Sequence, residues 1–174
     1  RSAAKIVAQL ANSIALPHNN PEMYWVPYNA SHGEYNERMA GRLVYLEENI
    51  DASWRKNFDA IDIVDTDKML EATKSQTVFI DTMQYLKTRL FDMLINDWDR
   101  HEKQWRWMLK ADSTGKRYFS PIAKDRDMAF YIFDEGVINQ LATNVNEKFQ
   151  SYRKDFKNVN GLMEQARKLD EKIL

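Results

Sequence analysis

Asp97-Trp98-Asp99-Arg100-His101-Glu102-Lys103-Gln104, answered further along by Asp125-Arg126-Asp127, sets acidic and amide side chains at the spacing that phosphoryl-transfer chemistry uses. Such chemistry needs a carboxylate beside the accepting hydroxyl, and a carboxylate with an amide oxygen to hold magnesium against the phosphates. On spacing alone, Asp99, Gln104 and Asp125 fill those roles, with Asp127 beside them.

The sequence between the two motifs reads as a hairpin. Trp105 to Lys110 alternates apolar and basic residues, Asp112 to Gly115 supplies turn chemistry, and Arg117 to Ile122 returns as the partner strand. Closing that hairpin brings Gln104 and Asp125 together at its open end. The same alternation puts Trp105 and Trp107 on one buried face, so these rings, like Trp98, are expected in the core rather than at a stacking site.

Ahead of Asp97, Asp81 and Gln84 form a capping box, and Met83, Leu86, Leu90, Met93 and Leu94 are expected to line the buried face of the helix behind it. Nearer the start, Ala3, Ile6, Val7, Leu10, Ala11 and Ile14 recur at helical spacing until Pro17 and Pro21 close the run. Met23 to Val26 and Met39 to Glu47 read as two strands of a loose hairpin, and Thr66 caps a short helix to about Thr73. The stretch Asp51 to Asp65 is irregular, with Trp54, Phe58 and Ile61 as packing points. Residues 137 to 156 and 161 to 174 read as closing helices. The expected fold class is therefore α+β and predominantly helical, in a single unit over residues 1–174 with a division near residue 50.

With 174 residues, 44% of them hydrophobic and 29% charged, the chain suffices for one compact core. Its 25 basic and 26 acidic residues nearly cancel, so no global field draws it to nucleic acid. The absence of cysteine excludes disulfides, thiolate zinc sites and cysteine nucleophiles. His18, His32 and His101 lack zinc-site spacing, and no calcium loop, Walker lysine loop or Gly-x-Ser-x-Gly elbow occurs. No apolar run is long enough to span a bilayer, and residues 1 to 20 lack the pattern of a signal peptide. The chain opens at Arg1 without an initiator Met, and the expectation is a piece of a longer protein.

Asp99-Arg100-His101 with Gln104 resembles the Asp-Arg-His-x-x-Asn loops of phosphoinositide kinases and the loops of HipA-like and CotH-like atypical kinases. Lys124 to Phe130 resembles the Asp-x-Asp-x-x-Phe-Gly segment by which CotH-like proteins present their metal-binding Asp. More widely, Leu90 to Trp107, Pro121 to Phe130 and Phe149 to Leu174 resemble a family of Bacteroidetes surface proteins. In that family a metallophosphoesterase domain precedes this region, and an outer-membrane β-barrel commonly follows it.

The resemblance implies an atypical protein-kinase-like carboxy-terminal lobe with short β-hairpins, working with Mg²⁺ and ATP. Asp99 would be the catalytic base, with His101 beside it as proton acceptor or structural partner. Gln104, Asp125 and Asp127 would hold the metal, and Glu47 and Glu48 would lie near the nucleotide hinge. It also implies a cell-envelope location, although the sequence equally permits the cytoplasm. Partners implied are a nucleotide and the flanking domains of a longer chain, with no transmembrane segment in this one.

Departures from the pattern are specific. The first helix carries no acidic residue, no strand with a phosphate-binding lysine precedes it, and the five glycines form no Gly-rich loop. Gln104 replaces the usual Asn, which lengthens the reach of the amide. Those missing parts are expected upstream, and this fragment alone is expected to be inactive. Two readings therefore stand: an ATP-dependent phosphotransferase site, or a non-catalytic pseudokinase scaffold. A nucleotide-sugar transferase using Asp125-Arg126-Asp127 finds no parallel-sheet pattern to support it.

Overall fold

The computed structural model describes residues 3–133, 146, 148–155 and 158–174. The helix α1 (Ala3–Ser13) is followed by β1 (Glu22–Val26), α2 (Tyr35–Met39) and β2 (Arg42–Leu46). Next come β3 (Asp62–Val64), α3 (Thr66–Thr73), β4 (Val78–Ile80) and α4 (Thr82–Leu94). The hairpin β5 (Trp105–Ala111) and β6 (Arg117–Ala123) precedes α5 (Val159–Met163) and α6 (Arg167–Ile173).

The predominantly helical expectation is overturned. Among the described residues 37% are helical and 19% lie in strands, which form two sheets in an α/β arrangement. β1 and β2 pair alone, whereas the other four strands order as β3-β5-β6-β4. β5 is antiparallel to both β3 and β6, and β4 runs parallel to β6. Strands as short as β3 and β4 carry too little alternation to be seen in a sequence. Met39 closes α2 rather than opening a strand. The closing helix expected over 137 to 156 lies largely outside the described residues, and residues 148–155 are not helical.

Both faces of the larger sheet are covered. On one, Trp105, Trp107 and Phe119 pack with Met69 of α3, Tyr85 of α4, and Leu169 and Ile173 of α6. The indoles of Trp105 and Trp107 stack 5.8 Å apart, with Tyr85 within 5.0 Å of Trp105, a geometry worth about 1 kcal/mol per pair beyond area burial. On the opposite face, Ile63, Met108 and Ile122 meet Ile50, Trp54 and Phe58. Ile61, expected to pack there, is exposed.

α4 turns a different face inward from the one its apolar residues suggest. Asp81 caps it as expected, accepting from the Gln84 N–H, but Met83 is 73% and Leu94 61% exposed. Its buried residues are Tyr85, Thr88, Arg89, Phe91 and Asp92, with Arg89 and Asp92 joined in an ion-pair network. Asp170 of α6 accepts from the Tyr85 hydroxyl at 2.6 Å and from Arg89 Nε at 2.9 Å, which pins α6 to α4.

The exit from α4 aims the chain at the motif. Asn96 is left-handed at φ 58°, its N–H donates to the Met93 carbonyl, and the Asp97 N–H donates to the Asp92 carbonyl. These two bonds make a Schellman ending with Asn in the place that Gly usually takes. Asn96 Nδ2 also donates to the Gln150 carbonyl at 2.8 Å. Asn96→Ala should therefore cost about 1–2 kcal/mol in urea denaturation, through left-handed strain and a lost buried hydrogen bond. A loss within 0.3 kcal/mol of zero, on the order of experimental scatter, would show that neither feature matters.

Candidate functional site

The open end of the β5–β6 hairpin joins the two acidic motifs. The Lys124 N–H donates to the Gln104 carbonyl at 2.9 Å, continuing the ladder past the last paired strand residues. Gln104 Nε2 then lies 3.4 Å from Asp125 Oδ2. Phe130 returns to the end of α4, its N–H on the Ile95 carbonyl at 2.8 Å. Between these ties Asp125 is left-handed at φ 52°, a conformation that costs energy for any residue with a Cβ.

Beneath the site lies a buried network of charges. Asp92 accepts from Arg100 Nε at 2.9 Å and from Arg126 Nε at 3.0 Å, and Arg89 Nη1 stands 3.8 Å away. Arg100 is fully buried and also donates to Asp97 Oδ2 and the Lys124 carbonyl. One guanidinium thus fastens α4, the 97–104 loop and the 124–127 loop together. Asp97 belongs to this foundation rather than to the site.

The Asp97 carboxyl is pushed up to about 7, first by burial and then against the attraction of Arg100, with Asp92 adding repulsion. Arg100 is nonetheless held charged, because Asp92 and Asp97 both favour its cation. The partners do not behave as a simple pair: Arg100 makes one bond to each carboxylate, Asp92 is shared with Arg126, and Asp97 Oδ1 has no partner among the described residues.

Five of the residues singled out by spacing or resemblance line one cleft of 460 Å³: Glu47, Glu48, His101, Gln104 and Asp125. Asn19, Asn49, Lys103 and Lys124 complete its polar wall. Asp99 and Asp127 do not line this cleft. The Asp127 carboxyl is raised by burial, by the charge of Asp125 and a hydrogen bond to it, and by Asp99. Glu47 is likewise raised by burial, by Asp125 and by Glu48. Carboxylates that repel one another around Asp125 are those a cation would relieve.

The individual placements refine the roles. Gln104 turns its amide nitrogen to Asp125, while its Oε1 accepts from Arg100 Nη1 at 3.4 Å. Glu48 is engaged by the turn after α1, accepting from the Asn20 N–H at 2.8 Å. His101 Nδ1 accepts from the Lys103 N–H at 3.2 Å, which leaves Nε2 as the proton-bearing nitrogen of the neutral ring. Asp99 Oδ1 lies 3.5 Å from Gln165 Nε2, in the segment between α5 and α6.

No group of three or more His, Cys, Asp or Glu among the described residues closes on one point as a metal cage. Spacing did not single out Lys124, Lys103 and Asn19 as site residues. Lys124 adjoins Asp125 in the quoted motif, and Asn19 stood in a turn whose prolines spoke only of helix termination.

Stability should fall as pH rises through the acidic and neutral range. Asp97 has a folded value raised from 3.8 to about 7, so its contribution is full below 3.8 and is lost as pH passes about 7. Asp127 and Glu47 act in the same sense. Asp51 and Asp112, held low by their turn hydrogen bonds, act oppositely and only towards the acid end. The urea midpoint should be higher at about pH 5 than at about pH 8, and Asp97→Asn should flatten the difference. A midpoint that climbs over that interval would contradict the raised values.

Comparison with protein-family models, with curated proteins and with solved structures gave no match. No described helix is long and apolar enough to cross a membrane.

Proposed function

We propose that the chain is a Mg²⁺-nucleotide-binding unit built for phosphoryl-transfer chemistry, with Asp125 as the principal metal ligand and Asp127 as the second. The observation that carries this reading is the electrostatics of one cleft. Asp125 raises the pKa of both Asp127 and Glu47, while Lys124 and Lys103 stand on the same wall to meet phosphate. The resemblance of residues 99–104 and 124–130 to kinase loops supports it independently.

In this reading Asp125 and Asp127 would hold the metal, which would supply positive charge to offset the charge that develops on the nucleotide phosphates. Asp99 is the candidate base for an accepting hydroxyl, and Gln104 orients Asp125 through its amide N–H. Asp127 must shed its proton to bind, so Mg²⁺ affinity should increase with pH above the ordinary carboxylate value of 3.8. Calorimetric titration with ATP, with and without Mg²⁺, tests the proposal: saturable binding that requires the metal supports it, and metal-independent or absent binding refutes it.

A second reading is a non-catalytic interaction domain within a larger cell-envelope protein. Its specific support is the β1–β2 hairpin, which pairs with no other strand among the described residues and exposes Trp25, Leu43 and Leu46 by 61–65%. On that reading Asp99 and Asp125 can be replaced without effect on partner binding, and Trp25 or Leu43 cannot.

A further inference from the structure

His101 and Lys103 line two clefts at once. One is the 460 Å³ cleft that reaches Asp125; the other, of 520 Å³, continues past them to Glu164, Gln165, Lys168 and Leu169. The short 3-10 turn at Glu102–Gln104 forms the ridge between them. Its position is fixed, because Thr66 Oγ1 donates to the Glu102 carbonyl at 2.7 Å and accepts from Trp107 Nε1 at 3.1 Å.

Two polar clefts that share a wall suit a donor and an acceptor that must meet in line. From this arrangement we infer that the second cleft binds the phosphoryl acceptor, and that the acceptor is a small hydroxylated anion of the sugar-phosphate class. This inference rests on the nucleotide reading of the first cleft.

The lining sets the chemistry. Lys103 and Lys168 offer cations to an anionic group, while Glu102, Glu164 and Gln165 offer acceptors and an amide to hydroxyls. Leu169 is the single apolar residue on this wall, so a hydrophobic ligand has little to bury against. Asp99 touches the same wall through Gln165.

The step then balances within the residues at hand. The acceptor hydroxyl oxygen forms a bond to the γ-phosphorus of the nucleotide as the bond to the bridging β–γ oxygen breaks. The nucleoside diphosphate leaves with that electron pair, and the hydroxyl proton passes to the Asp99 carboxylate.

Glucose 6-phosphate, glucose and inorganic phosphate serve as probes in ¹H–¹⁵N shift titrations of the whole chain, with Mg-ATP titrated separately. Glucose 6-phosphate should shift His101, Lys103, Gln165 and Lys168, and bind at least about tenfold more tightly than either fragment of itself. Lys168→Ala should weaken that binding by about tenfold and leave Mg-ATP affinity within about twofold.

Three results would overturn the inference: no preference for the sugar phosphate over its parts, insensitivity to Lys168→Ala, or competition with Mg-ATP for one site. Failure of Mg-ATP binding is a separate outcome, since it removes the nucleotide reading itself.

Discussion

Asp125→Asn is expected to lower Mg-ATP affinity by about 100-fold or more while leaving the folded state as stable as before, or slightly more so. The asymmetry follows from what Asp125 does in the apo protein. It is exposed, it sits at φ 52°, and its charge raises the carboxyl groups of Asp127 and Glu47. Asparagine tolerates the left-handed backbone and keeps an oxygen, so the substitution removes repulsion without adding strain. A residue kept for structure would behave in the opposite way. Calorimetry and urea denaturation on the same variant decide it: unchanged binding would remove Asp125 from the site, and a stability loss above about 1 kcal/mol would make its role structural.

Arg100→Ala should be the most damaging single change to the fold, at about 3–5 kcal/mol. Its guanidinium is completely buried, and its removal takes the ion-pair partner from buried Asp97, a donor from the Lys124 carbonyl, and one of the cations around Asp92, which keeps Arg126. Arg100→Lys keeps a charge but loses the fork that reaches three chain segments, so it should recover only part of the loss. Urea denaturation measures both. A cost for Arg100→Ala below about 1 kcal/mol would mean that the three segments are held by packing alone. The contrast with Asp125 is a useful internal control. Arg100 acts through stability, Asp125 through affinity.

The hairpin and the meeting of Gln104 with Asp125 were legible in the sequence, because two seven-residue strands flank strong turn formers at Asp112 to Gly115 and the first opens on an apolar and basic alternation. The buried pair Trp105 and Trp107 followed from the same alternation. The extent of sheet was not legible. β3 and β4 are three residues each, and β4 joins β6 in parallel across the intervening α4 and β5, a pairing that no local pattern announces.

α4 misled for a different reason. Its apolar residues form a consistent stripe, but Arg89 and Asp92 find buried partners in Asp170, Arg100 and Arg126 that are distant in the chain, and those partnerships decide which face turns inward. Ion-pair networks assembled from separate segments leave no trace in spacing. The same limit applies to the cleft: Glu47 and Asn19 reach Asp125 through tertiary structure, whereas Lys124 could have been found by asking which cation adjoins the acidic motif.

The most direct test of the central claim, that Asp125 and Asp127 hold a divalent cation against nucleotide phosphate, substitutes paramagnetic Mn²⁺ for Mg²⁺ in the presence of ATP. Backbone ¹H–¹⁵N resonances should broaden around Gln104 and Lys124 to Asp127, extend to Glu47, and fade along β2 from Leu46 towards Arg42. Broadening centred elsewhere, or none that depends on nucleotide, would contradict the account.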